Sequence, residues 1–381
     1  MKWETLPLAS LGIIKTGSTP STTEARFWEG GVPFVTPSEL DQRFPITLTP
    51  RTLTEDGSRE GRILQEGAVM VCCIGSLGKI GIAGRALVTN QQINSIEFDT
   101  KRIYPKYGYY ACQRLKPKLI SMAPATTVPI VNKSKFGQLE IPVPPLPEQI
   151  RIAAILDQAD ALRVKRREAL AQLDSLKQSI FIEMFGELST NSKGWKTCTV
   201  GDISDCIVPG RDKPKSFSGN IPWVKTDDLK HLELTHGSSK GVGLSESEIK
   251  EVRARVIPSG SVIISCVGDL GIVSIADIPM VVNQQLHSYQ CHNNFSNIFL
   301  MYCLALQKPF MLAKASSTTL PYMNKTVCNS IPVISPPLEL QQTFAKRIQV
   351  IDALKTQHRI SQAILDALFS TLQHSAFRGE L

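Results

Sequence analysis

The sequence predicts an α+β chain in which two mixed α/β domains with substantial β content are separated by two long antiparallel helices forming a coiled coil, an internal pseudo-two-fold repeat. Three observations predict it. The 381 residues are written twice, at an offset of about 192 residues. Each copy opens with a stretch rich in Gly, Pro, Val and Ile that carries short apolar runs. Each copy closes with about 40 residues of continuous helical pattern. The boundaries that follow are 1–145 for the first domain, 146–188 for the central helix, 189–337 for the second domain and 338–381 for the C-terminal helix.

The repeat rests on segments that recur in one order. GGVPFVTPSEL, from Gly30, returns as GNIPWVKTDDL, from Gly219. EGAVMVCCIGSLGKIGIA, from Glu66, returns as SGSVIISCVGDLGIVSIA, from Ser259. Asn90-Gln91-Gln92 returns as Asn283-Gln284-Gln285, TTVPIVNK (126–133) as TTLPYMNK (318–325), and PVPPLPEQ (142–149) as ISPPLELQ (334–341). FGEL (185–188) answers RGEL (378–381).

Within each domain, Val69 to Ile74, a glycine turn at Gly75 to Gly78 and Ile80 to Ala83 read as strand–turn–strand. Val262 to Val267 and Ile272 to Ala276 repeat that reading. Ser245 and Glu248 have capping-box spacing and open a short helix.

Each long helix opens after a Pro-Pro pair, where proline suits the entry. Ile152, Ile155, Ala159, Leu162, Ala169, Leu173, Leu176 and Ile180 follow the 3-4 spacing of a coiled-coil seam. Ile351, Leu354, Ser361, Leu365, Leu368 and Leu372 do the same in the second copy. Arg166 interrupts one seam and His358 the other, and a polar seam residue fixes register. A catalytic or switching His358 is the alternative. About 40 residues at 1.5 Å rise make a rod of about 60 Å. Two such helices in one chain most simply pair with each other, antiparallel, with one domain at each end.

Composition narrows the class. A formal net charge of +8 favours a polyanionic partner, DNA or RNA before an acidic protein. The N-terminus has no apolar core of a signal peptide, and no run approaches the roughly 18 apolar residues of a membrane span. Nine scattered cysteines suit reduced thiols and a cytoplasmic location.

KTGSTP (15–20), IPWVKTDDL (221–229), the two NQQ triplets, the paired TTVP…NK and TTLP…NK segments and PPLPEQIRIAAILDQAD (144–160) together resemble the specificity subunits of type I restriction-modification systems, over nearly the whole chain. The resemblance implies two target-recognition domains, each reading one half of a bipartite site in double-stranded DNA. The helices then set the gap between half-sites and dock two modification (methyltransferase) subunits. Ile152, Ile155, Leu162, Arg166, Leu173, Leu176, Ile351, Leu354, His358, Leu365 and Leu368 are the candidate seam and partner-binding residues. It also implies that this chain catalyses nothing and binds no cofactor. S-adenosylmethionine and N6-adenine methylation belong to the modification subunits, and ATP, Mg and cleavage to a restriction subunit where one is present. The second copy departs from the family's clearest run, with Glu339-Leu340-Gln341 for Pro147-Glu148-Gln149 and Arg347 for Ile155, which puts docking at that helix in doubt.

The repeat itself sorts candidate DNA contacts. Residues identical in both domains cannot distinguish two half-sites, so Asn90, Gln91, Asn283 and Gln284 suit scaffold bonding or a shared backbone contact. Discrimination belongs where the copies diverge, Asp41 to Thr52 against Lys230 to Gly243. There Gln42 and Arg43 offer base-edge donors and acceptors, and Lys240 suits a phosphate. Lys15, Thr16, Ser18 and Thr19 with their counterparts Arg211 and Lys213 lie beside glycines that permit close approach. Thr36, Ser38, Lys79, Lys225 and Thr226 complete the set. Arg59, Arg62, Arg253 and Arg255 line a basic face or are merely solvated.

Enzyme readings fail on motif. The Pro-Pro pairs lack the flanking Asn/Asp and aromatic of an adenine methyltransferase, and Gly75-Ser76-Leu77-Gly78-Lys79 is too short for a phosphate loop. His287, Cys291 and His292 lack a fourth ligand at metal spacing. The competing class is a scaffold or inhibitor that recruits proteins through its helices without reading DNA.

Overall fold

The computed structural model describes residues 3–42, 45–123, 128–210, 212–316 and 320–381. Residues divide into two compact units, Met1–Arg167 with Ser361–Leu381, and Glu168–Ile360. The two long helices, Leu146–Phe185 and Leu338–Arg378, each contribute one half to each unit.

In the first unit the main sheet runs Gly12–Thr16, Ile93–Phe98, Val69–Cys72, Ile80–Ile82, all antiparallel. Its central strand Val69–Cys72 is buried on both faces, as its unbroken apolar run requires. The expected turn is there: Gly75 and Gly78 take φ of +77°, a conformation that favours glycine. A second sheet pairs Trp28–Val35 in parallel with Leu87–Thr89, flanked by Thr52–Leu53 and Ile63–Leu64.

The second unit repeats the plan with Ser204–Ile207, Leu286–Cys291, Val262–Ser265 and Val273–Ala276. It adds Leu234–Thr235 as a parallel edge strand. The corresponding contact of the first unit is a single parallel bridge, Ile46 to Ala83. Helix Glu246–Glu251 opens on Ser245 with both capping-box hydrogen bonds made.

The core of each unit is continuous with its helices. In the first, Val69, Val71, Ile96 and Phe136 pack with Ile152 and Leu156 of the first long helix and with Phe369 and Phe377 of the second. In the second, Phe181 and Phe185 pack among Phe299, Tyr302, Phe344 and Ile348. Phe185 meets Phe299 edge to face at 4.7 Å between centroids.

The helices pair antiparallel inside each unit, but not along the seam that spacing predicts. Leu162, Leu176, Leu354 and Leu368 are exposed. The next residues on, Lys177, Lys355 and Phe369, are buried instead, and Arg163 is half-buried. Ile152 and Ile351 do face inward, while Ile155, Arg166, Leu173, His358 and Leu365 are half-buried. The correction has a physical cause. Leu156 in the first unit, and Phe181 with Phe185 in the second, are locked into domain cores, and within each unit that anchoring sets which face of the helix turns inward.

Ion pairs line the resulting seam. Arg163 bonds Asp366 at 2.6 Å and lies 4.3 Å over the Phe369 ring. In the second unit Lys177 meets Asp352, and Lys355 meets Asp174. Glu233 reaches in from the domain to Lys355 (2.6 Å) and Arg359 (2.5 Å). Burial raises the Glu233 carboxyl, but hydrogen bonds from Arg359 and Lys355 outweigh it and bring it from 4.5 down to about 2. A carboxylate depressed on folding stabilises above its unfolded value and loses that contribution as pH falls through the folded one. The second unit is therefore expected to lose stability between pH 4.5 and about 2, and Glu233→Gln to flatten that slope in acid denaturation.

Candidate nucleic-acid interface

In each unit the repeated motifs meet at one pole of the main sheet. In the first, strand Gly12–Thr16 ends there, strand Ile93–Phe98 begins there, and the turn between Val69–Cys72 and Ile80–Ile82 lies alongside. The NQQ triplet forms the hub. Asn90 Nδ2 donates to Gln92 Oε1 (2.8 Å), and Asn90 Oδ1 accepts from the Gln92 amide (3.2 Å). Asn283 and Gln285 repeat both bonds at 3.0 and 3.2 Å. The Gln92 and Gln285 carbonyls then accept from the amides of Cys73 and Cys266, each at 2.8 Å.

The middle glutamine fastens the glycine loop. Thr19 Oγ1 donates to Gln91 Oε1 at 2.5 Å, and Gln284 Nε2 donates to the Gly210 carbonyl at 3.0 Å. Gly17 sits where a Cβ would meet the Asn90 carbonyl oxygen at 2.1 Å, so only glycine lets this loop lie on the turn. The TTVP and TTLP segments fall partly outside the described residues. Their ends are ordered by the Pro129 and Pro321 carbonyls, which accept from the amides of Gly75 (3.0 Å) and Gly268 (2.9 Å). Asn132 and Asn324 are the N-caps of helices Lys133–Gly137 and Lys325–Asn329.

Many candidate side chains are engaged within the chain. Lys15 pairs with Glu97 at 2.8 Å and donates to the Ile63 carbonyl. Thr16 donates to Asn94 Oδ1, and Lys79 donates to the Pro37 carbonyl. Thr36 and Ser38 both donate to the Glu39 carboxylate. Among the described residues, Ser18 Oγ and Thr226 Oγ1 are buried and find no hydrogen-bond partner. Gln42, Lys213, Lys225 and Lys240 are exposed. The Lys240 loop is drawn toward Lys225 by Ser239, whose amide and hydroxyl both donate to Asp228. Arg43 and Arg211 lie outside the described residues.

Two features escaped sequence reasoning. Gln149 and Gln341 are buried at equivalent places. Gln149 accepts from the Tyr104 amide and donates to the Arg102 and Pro144 carbonyls, each at 2.8 Å. Gln341 accepts from the Ser296 amide and donates to the Pro336 carbonyl. Each glutamine staples the start of a long helix to its domain, and its recurrence in PPLxxQ was the signal. Secondly, Asp41 and Leu232 take φ of +64° and +58° at the entrances to the divergent segments, where non-glycine residues are strained.

Among the described residues no helix is long and apolar enough to cross a membrane, and no group of three or more His, Cys, Asp or Glu is disposed to hold a metal ion.

The chain matches the model of the type I restriction modification DNA specificity domain twice, over residues 1–173 and 192–365. It is 25% identical to the MjaIX specificity subunit of Methanocaldococcus jannaschii, covering 99% of this chain and 94% of that protein. It is 26% identical to the EcoR124I/EcoR124II specificity subunit of Escherichia coli over 47% of this chain and 45% of that one. Among solved structures it is similar to a chain described in work on complex assembly and conformational transition of the type I system, with TM-score 0.60 at 19% identity over 100% of this chain and 98% of that one. The type I S subunit from M. genitalium gives TM-score 0.57 at 17% identity, over 98% of this chain and 96% of that one. With the domain present twice and the doubled fold to match, the chain belongs to the type I restriction-modification DNA specificity family.

Proposed function

We propose that each domain reads one half of a bipartite DNA site, and that the paired helices set the gap and dock two modification subunits. The observation that carries this reading is the doubled pole. One hydrogen-bonded frame recurs in both units, while the exposed groups mounted on it differ: Gln42 in one, Lys213, Lys225 and Lys240 in the other. A shared frame with divergent donors suits two half-sites of different sequence. The exposed Leu162, Leu176, Leu354 and Leu368 suit the docking role. In this reading the chain is non-catalytic and works in the cytoplasm. Its modification subunits supply S-adenosylmethionine chemistry, and a restriction subunit, where present, supplies ATP- and Mg-dependent cleavage.

Co-expression with the methyltransferase subunit, followed by genome-wide mapping of N6-methyladenine, tests it. A split motif with a fixed gap is expected. A stable complex with no such motif would favour the scaffold or inhibitor reading. Lys213 and Lys240 are assigned to phosphates, so Lys213→Ala and Lys240→Ala are each expected to reduce the slope of log affinity against log salt by about 1 without changing the motif. Titrations at several salt concentrations check this.

A further inference from the structure

In each unit a lysine lies across the hairpin turn that borders the pole. A Cβ at Gly78 would meet Lys116 Cγ at 2.5 Å, and one at Gly271 would meet Lys308 Cβ and Cγ at 3.3 Å. The two lysines open equivalent short helices, Lys116–Met122 and Lys308–Lys314, each with proline in second place. Their charges are treated differently. Lys308 pairs with Asp269 of its own turn at 2.8 Å. The first turn, Gly75-Ser76-Leu77-Gly78, carries Ser76 where Gly268-Asp269-Leu270-Gly271 carries the aspartate. Lys116 is exposed and, among the described residues, forms no ion pair.

Lys116 also lines a crevice between its helix and the second long helix, together with Gln113, Arg114, Ser370, Gln373 and His374. Gln373 Nε2 donates to Gln113 Oε1 at 3.0 Å and ties the two walls together. The Arg114 guanidinium lies 4.9 Å from the centre of the Phe377 ring, which holds it in place. Arg114 is half-buried, and among the described residues it too forms no ion pair. Burial draws it below its ordinary value, so a bound anion would offset the cost of its charge. No carboxylate lines the crevice among the described residues. In the second unit Leu306 stands at the position of Arg114 and Ile182 at that of His374, both of them exposed and apolar.

We propose that Arg114 and Lys116 together hold one backbone phosphate of DNA beside the first half-site, and that the second unit lacks this clamp because Asp269 neutralises Lys308 and Leu306 replaces Arg114. The clamp presupposes the DNA-reading role proposed above. A DNA phosphate fits better than an acidic protein, since Lys116 crosses the very turn that borders the pole, and an anion bound there lies next to the reading frame. The guanidinium fork and the ammonium point charge both suit phosphate oxygens. Such a contact fixes the position of the duplex and carries no sequence information.

The modification complex assembled on the parent chain or on a variant is titrated, at several salt concentrations, with a duplex bearing its mapped site. Arg114→Gln combined with Lys116→Gln is expected to reduce the slope of log affinity against log salt by about 1, the share of one phosphate, with the methylation motif unchanged. Lys308→Gln is expected to leave the slope as it is. Asp269→Ser is expected to raise it by about 1, because it releases Lys308 as Ser76 leaves Lys116 free. Neutral methylphosphonates placed one at a time along the first half-site are expected to reveal one position that weakens the parent complex and not the double variant. A slope unmoved in the double variant or in Asp269→Ser, or an equal loss in Lys308→Gln, would each overturn the clamp. So would failure of the double variant to assemble with modification subunits while it still folds, which would make the crevice a protein contact. Should the double variant not fold, Lys116→Gln alone and Asp269→Ser decide, since both of those side chains are exposed. A parent complex that methylates a split motif while these slopes stay fixed overturns the clamp alone; a parent with no motif overturns the DNA reading and the clamp with it.

Discussion

Replacing Asp352 by alanine is expected to cost about 3–5 kcal/mol, while replacing its partner Lys177 by methionine changes stability by about 1.5 kcal/mol at most, or increases it. The asymmetry follows from burial. The Lys177 side chain is 3% exposed and that of Asp352 is 39% exposed. Removing Asp352 leaves the nearly buried Lys177 ammonium without the carboxylate that meets it in the helix seam. Removing Lys177 leaves a carboxylate that water can reach, and methionine fills the vacated volume with a chain of similar length. Urea denaturation of both variants against the parent chain measures the difference. An Asp352→Ala chain within about 1 kcal/mol of the parent would mean that the ammonium stays hydrated in the seam, and that the ion pair does not order these helices.

Gly17→Ala is expected to lower DNA affinity about tenfold or more, some 1.4 kcal/mol, and to relax sequence preference at one half-site only. The added methyl meets the Asn90 carbonyl oxygen at 2.1 Å, Thr89 Oγ1 at 2.3 Å and the Thr89 carbonyl oxygen at 2.4 Å. Two of these atoms are backbone, so the loop carrying Ser18 and Thr19 must lift from the turn. Gly31 provides the control, since a Cβ there meets nothing within 4 Å, and Gly31→Ala is expected to bind as the parent does. Binding by an assembled modification complex to its mapped site, with each half-site scrambled in turn, reads out both effects. Equal loss at both half-sites would place the defect in global folding and not in the first pole.

Part of the pole was legible beforehand. The NQQ triplets recur because the same side-chain-to-backbone bonds recur, and the hairpin glycines because both turns need positive φ. What could not be read was which hydrophilic side chains are already spent. Lys15 looks available in sequence, yet Glu97, 82 residues away, holds it. Nothing near Lys15 along the chain announces that carboxylate, because strand pairing alone brings the two together.

The long helices mark the boundary most clearly. Their existence and length, and the doubling of the whole chain, were determined by the sequence alone, because apolar periodicity and the ordered recurrence of motifs are local properties. Which stripe of each helix turns inward was decided only by the tertiary structure. Leu162 and Leu176 adjoin Arg163 and Lys177, and spacing cannot separate two stripes that lie one residue apart. Leu156, Phe181 and Phe185 settle it, since their burial in the domain cores sets a rotation that carries the leucines out and the cations in, where Asp352 and Asp366 meet them.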